Sequence, residues 1–225
     1  MIPTFDVVKK TKNSGFSLVE LLTVVGIMSV LLVMGTVLFR GVGQGETRES
    51  ARTLLLAGLN NAQSRALATG QPVAMVMTPY DEGRENELGK SFTLFEVRQD
   101  DVTGDFEAGQ QLRRWSLLPG RFIFSTGETV SSSGQNAFDQ APVVSISVKD
   151  DQFSRRVVQM PAIIFGGDGR VVWPAGEAEL EVHLSEGTVE NGLAIATGND
   201  LDDWRQREVF VIGRQTGRVR YLQTN

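Results

Sequence analysis

One stretch limits what this chain can become more than any other. Residues 16–39 read FSLVELLTVVGIMSVLLVMGTVLF and contain a single charged side chain, Glu20. As a helix rising 1.5 Å per residue, the run is roughly 36 Å long, enough to cross a hydrocarbon core of about 30 Å. Lys9, Lys10 and Lys12 stand just before it. The positive-inside rule therefore keeps the N-terminus cytoplasmic and sends the remainder outside. An ordinary secretory signal peptide has a shorter apolar core, about 7–15 residues, with a small-x-small cleavage site after it. Here the run is longer and closes on Leu38-Phe39-Arg40-Gly41. A plain signal anchor is the other alternative. It leaves Glu20 an accident near the membrane boundary, although a charge in the bilayer costs about 2.5–3.5 kcal/mol near the centre and less toward the end.

The rest of the chain, out of 225 residues, is long enough for a domain of about 150 residues beside that helix. There is no cysteine, which excludes disulfides, thiolate metal sites and cysteine nucleophiles. The single histidine, His183, argues against zinc sites and histidine-dependent triads. Net charge is −5. Residues 1–15 carry three lysines against Asp6, a contribution of +2, so the side chains after them total −7. An acidic body disfavours general nucleic-acid binding, although a local basic patch can still contact phosphate.

Residues 46–69 read as a second helical stretch. Leu55, Leu59, Ala62 and Ala66 fall on one stripe, which predicts burial against a sheet, and Gly70 and Pro72 end the helix. Between the two helical stretches, Gly35, Gly41, Gly43 and Gly45 each weaken a helix by about 1 kcal/mol relative to alanine. Either a kink or a short linker is expected around residues 41–45. From Val73 onward the signals are β. Strands are predicted at 73–77, 91–98, 144–148, 180–184, 208–212 and 217–222, with a hairpin turn at Gln215-Thr216-Gly217. Residues 131–140 read as a polar insertion and a mobile loop. Alternation with Val182 and Leu184 puts His183 on the solvent face of its strand.

Gly15-Phe16-Ser17-Leu18-Val19-Glu20-Leu21-Leu22, behind a short basic leader and ahead of the apolar run, resembles the signal of type IV prepilins and type II secretion pseudopilins. The resemblance implies an α+β pilin-like fold: a long N-terminal helix, transmembrane in its first half, packed on an antiparallel β-sheet body. It divides the chain into a leader (1–15), a transmembrane helix (16–40), a glycine linker and amphipathic helix (41–72) and an extracytoplasmic β-rich body (73–225). It further implies cleavage between Gly15 and Phe16 by prepilin peptidase, N-methylation of Phe16, and Glu20 as the assembly glutamate. The implied partners are prepilin peptidase, other pilin or pseudopilin subunits, an inner-membrane assembly platform and membrane lipid, with no cofactor. This chain departs from many major pilins in having Val37 where they carry proline.

Physical chemistry supports these assignments. Gly15 lacks a Cβ, so an extended backbone can enter a narrow protease cleft. The new amine at Phe16 would be cationic, with Glu20 its natural partner. At 4 Å and an effective dielectric near 20, their attraction is about 4 kcal/mol before desolvation. Between neighbouring subunits such a pair selects axial register in an otherwise uniform apolar bundle.

In the body, the apolar strand after the helix, the turn Gly166-Gly167-Asp168-Gly169-Arg170 and the closing Gly217-Arg218-Val219-Arg220 are similar to the GspH/FimT-like minor pilins. Gly166-Gly167-Asp168-Gly169 lacks P-loop spacing and a following helix signal, and reads as a tight hairpin turn before a strand at 171–173. Asp200, Asp202 and Asp203 offer oxygen ligands but not the EF-hand pattern, and no metal site is predicted. Arg214, Arg218 and Arg220 form the remaining cluster. With residues 217–222 as a strand, Arg218 and Arg220 share one face and Val219 and Tyr221 the other. Two arginines on one face suit phosphate contacts, and the resemblance extends to the GRxR element linked to DNA uptake. DNA binding is the alternative to a purely structural subunit. No catalytic constellation emerges, so an enzyme is not expected.

Overall fold

The computed structural model describes residues 18–81, 86–100, 104–127, 129–130, 134–138, 145–149, 157–197 and 207–222, with side chains at 30, 32–44, 145 and 196 excepted. Gly15 and Phe16, the expected processing residues, and the aspartates 200, 202 and 203 lie outside them. The chain divides into two compact units, Met1–Glu46 and Thr47–Asn225.

One helix, α1 (Leu18–Thr69), is present among the described residues. Helical backbone runs through Gly41, Gly43 and Gly45, so the expected linker is not a break in secondary structure. A glycine lowers helix propensity but leaves the hydrogen-bonding pattern available. In the first unit, Leu18, Val19, Leu21, Leu22, Val24, Val25, Ile27, Met28 and Leu31 are all exposed. Among the described residues no helix is long and apolar enough to cross a membrane.

In the second unit the predicted stripe is in place. Ala51, Leu55, Leu59, Ala62 and Ala66 are fully buried, each leucine contributing about 1.5–3 kcal/mol. The alanines and Gly58 permit close approach; a Cβ on Gly58 would lie 2.5 Å from the Phe92 ring. The helix ends as its sequence predicts. Gly70 takes φ +67 and its N–H donates to Ala66 O at 2.9 Å, which satisfies a terminal carbonyl.

The strands are β1 (Val73–Met77), β2 (Ser91–Gln99), β3 (Phe106–Gln111), β4 (Ser116–Leu117), β5 (Phe122–Ser125), β6 (Gln135–Asn136), β7 (Ser145–Lys149), β8 (Val157–Phe165), β9 (Val171–Trp173), β10 (Leu180–Glu190), β11 (Leu193–Ala196), β12 (Glu208–Ile212) and β13 (Val219–Leu222). They form two sheets rather than a single antiparallel one. In the first, β1 pairs with β2, β2 with β3, β3 with β7, β7 with β8, and β8 back with β1. These pairings close on themselves. Around the second, β10 pairs with β5, β6, β11 and β12, and β12 with β13. The pairings are antiparallel except β3 with β7 and β6 with β10.

Closure gives the body two cores. Val73, Met75 and Met77 pack into the cluster under α1, together with Phe92, Ile163, Phe165, Phe124, Val182 and Phe210. Ala74 and Val76 point the other way, into a second cluster with Phe95, Val97, Ile146, Val148, Met160 and Ile164. Strands buried on both faces read as continuous apolar runs, which is why β1 is VAMVM and β8 closes on AIIF.

The insertion expected to be mobile contributes to the core. Gln135 and Asn136 pair in parallel with Leu180 and Glu181. Phe138 is fully buried and stacks on Phe124 at 5.3 Å between ring centroids.

Candidate assembly helix, arginine face and buried polar layer

Glu20 lies in the first turn of α1 and is exposed. It stands among exposed leucines and valines.

The three arginines of the predicted cluster separate. Arg218 and Arg220 are exposed, and Val219 and Tyr221 pack against the core on the opposite side of β13, as the alternation predicts. Arg220 pairs with Glu179 at 2.5 Å. Arg214 is not on this face. It is 6% exposed, its Nε donates to Ala178 O, one Nη donates to Pro174 O and the other to Gln135 Oε1 at 2.6 Å. Burial holds its pKa below the ordinary arginine value. The fork geometry of guanidinium suits this use, bridging carbonyls in different directions. Arg214 therefore ties residues 174–178 and 135 to the turn after β12.

Both glycine-rich turns close against the end of α1. In the β8–β9 turn, Gly166 N donates to Arg170 O and Gly169 N to Gly166 O, each at 2.8 Å, the tight hairpin expected. Gln63 Nε2 donates to Gly169 O at 3.1 Å and to Thr216 O at 2.7 Å, so one helix side chain binds both turns. Gly217 takes φ +62, and a Cβ there would overlap Gly169 O and the Gln63 amide.

His183 is not on the surface; it is fully buried with Glu181 beside it. The solvent side of β10 is covered by residues of the insertion and by Arg207. His183 Nε2 lies 2.7 Å from Glu181 Oε2, and Nδ1 lies 3.2 Å from an Arg207 Nη and 3.4 Å from Asn136 Nδ2. Arginine can only donate. Nδ1 therefore accepts, and Nε2–H donates to Glu181. Glu181 Oε2 also accepts from Val130 N at 2.9 Å, and Asn136 Nδ2 donates to Ser125 O at 2.9 Å. The layer holds the insertion on the sheet, and Glu181, His183, Asn136 and Arg207 are all buried. Sequence reasoning missed it because period-2 alternation assigns a face but not what covers that face. The available signal was Glu181 and His183 at i and i+2, which puts both on one side of a strand.

A second polar cluster was also missed. Arg52 Nε and one Nη donate to Glu208 Oε2 at 3.0 and 2.9 Å, while its other Nη donates to Glu49 at 2.9 Å. Arg48 lies 3.5 Å from Glu208 Oε1 and 3.4 Å from Glu186. The Arg52 guanidinium stacks 4.1 Å from the Tyr221 ring centroid. Burial works against the charge of Arg52, but the Glu208 hydrogen bond and charge hold its pKa above the ordinary value. Arg48 and Arg52 at i and i+4 share a helix face, a signal visible in the sequence; the buried acid across from them was not. Among the described residues no group of acidic or histidine side chains could hold a metal ion.

Comparison with known proteins matches residues 10–36 to the prokaryotic N-terminal methylation motif. No curated protein matches the chain. Among solved structures, the minor pilin FimU of the Pseudomonas aeruginosa type IV system is similar over 81% of this chain and 92% of that one, at 14% identity and a TM-score of 0.41. The minor pseudopilin EpsH of the Vibrio cholerae type 2 secretion system is similar over 80% of this chain and 97% of that one, at 14% identity and a TM-score of 0.40.

Proposed function

We propose that the chain is a minor pilin or pseudopilin, a non-enzymatic subunit that is processed at its N-terminus and built into a filament of a type IV pilus or type II secretion machine. The observation that carries this reading is the methylation motif over residues 10–36, whose part from Leu18 onward lies on a helix with exposed apolar side chains between Leu18 and Leu31. A helix apolar all round needs lipid or other helices about it. In the reading proposed here it has both in turn. The 16–40 segment first spans the inner membrane, with the N-terminus cytoplasmic and the body outside. Prepilin peptidase then cuts between Gly15 and Phe16, Phe16 is N-methylated, and an assembly platform transfers the helix from lipid into a bundle of like subunits. Glu20 and the new amine fix its register there. The DNA-binding alternative gains no support: Arg214 is committed inside the body and Arg220 to Glu179.

Mass spectrometry of the chain produced with prepilin peptidase should show loss of residues 1–15 and a methylated Phe16. Gly15→Val should abolish both. Glu20→Ala should leave processing and membrane insertion intact while sharply reducing filament incorporation. Efficient processing of the Gly15 variant, or normal incorporation of the Glu20 variant, would contradict the reading.

A further inference from the structure

We propose that Glu208 is a latch that keeps the first turns of the body's helix docked, and that without it those turns come away while the rest of the body stays folded. The inference rests on the second unit alone, with the assembly reading giving it a use. Before Leu54, which packs partly against the core cluster, the only fully buried apolar side chain on the body's part of the helix is Ala51. One methyl supplies little apolar burial compared with a leucine side chain. Thr47 adds a methyl close to the backbone at Gly120. Farther along, Leu55, Leu59, Ala62 and Ala66 are fully buried and Gln63 binds two turns of the body, so that part of the helix is held without the ionic cluster. The ionic cluster falls on the weakly held part. Both arginines of that part converge on Glu208, whose side chain is only 4% exposed, and Arg52 also covers Tyr221. The carboxylate thus joins the helix to the start of β12, and the stacked ring joins it to β13. A charge-assisted pair in this setting is worth more than an exposed one, and breaking it leaves an uncompensated ion. Glu49 binds Arg52 too, but it lies on the same helix and is 65% exposed, so it cannot attach the helix to the body; Glu186 of β10 reaches Arg48, but at 3.4 Å with side chains 45% and 33% exposed, and a solvated pair of that kind holds weakly.

For a filament subunit, the consequence is where the helix becomes fixed to its body: at Arg48 and Arg52 when the latch is closed, at Leu55 when it is open. Hydrogen exchange read by mass spectrometry on the full chain in detergent tests this. Glu208→Gln and Arg52→Gln should each accelerate exchange over residues 47–53 by about tenfold, with residues 55–69 and 157–165 unchanged. Glu49→Gln should leave all of them at the parent rate. Because Glu208 is buried, Arg52→Gln serves as the second variant, altering a more exposed residue. Unchanged exchange at 47–53 in both variants would overturn the latch. So would equal acceleration across the whole body, which would make Glu208 an ordinary contributor to global stability. The result is independent of filament entry, so failure of the Glu20 experiment would leave it standing.

Discussion

Tyr80 and Tyr221 are the two tyrosines of the chain, and both phenols are held protonated by their surroundings. Tyr80 is buried and donates to Phe124 O at 2.6 Å; burial pushes its pKa well above the ordinary value. Tyr221 is pushed up to about 12, first by burial and then by the Glu208 carboxylate. An acid whose folded pKa exceeds its unfolded value, about 10 for tyrosine, stabilises the fold fully below that unfolded value. The contribution is lost as pH rises from there through the folded pKa. The window is therefore alkaline, from about pH 10 upward. With no other tyrosine in the background, phenolate absorbance should emerge late and together with loss of tertiary structure. Reversible titration of both phenols near the ordinary value, with the fold intact, would contradict their burial. At this scale the sequence was an uneven guide. It put Arg218 and Arg220 on one exposed face correctly, because strand alternation acts over adjacent residues. It grouped Arg214 with them and put His183 in water, because carbonyls and side chains enclosing each come from segments 24 to 79 positions away that only the fold brings together.

Among the elements, the end of α1 and its two turns were the most legible, since caps and tight turns are written in local residues. Gly70 and Pro72 marked the helix end, and the 166–170 turn closed where its glycines predicted. What the glycines did not disclose is that Gly217 is needed twice, for its positive φ and for the space taken by Gly169 O and Gln63. Gly217→Ala should therefore cost about 2 kcal/mol or more, lowering the midpoint of urea unfolding without changing the slope. A loss below about 0.5 kcal/mol would mean that Gln63 and the two turns readily separate. The insertion was the least legible element. Its serines, glycine and glutamine look like a solvated loop, yet one aromatic, Phe138, decides the outcome by stacking on Phe124. A single buried aromatic ring outweighs local propensity, and composition averages it away.

The whole body is a question of how many cooperative parts it contains. Two apolar clusters could unfold separately if different strands built them. Here β1, β2 and β8 supply side chains to both: Met75 and Ile163 to the one beneath α1, Ala74 and Ile164 to the one inside the closed set of strands. Peeling α1 away would expose one face of those strands, and disrupting β7 would expose the other. Neither face can be lost without loosening the backbone that carries its opposite. Thr47–Asn225 should accordingly melt in one transition. Leu59→Ala under the helix and Met160→Ala inside the closed set should each cost about 2–5 kcal/mol and move that same transition, followed by circular dichroism for the sheets and by tryptophan fluorescence. Trp115 and Trp173, two of the three tryptophans of the chain, pack against the inner cluster, so their contribution reports it, best read in a Trp204→Phe background. If Leu59→Ala shifted the dichroism transition and left the fluorescence transition in place, the shared strands would not be coupling the two clusters. Coincident shifts are expected because each shared strand alternates its side chains between the two clusters, so neither cluster owns a strand the other can spare.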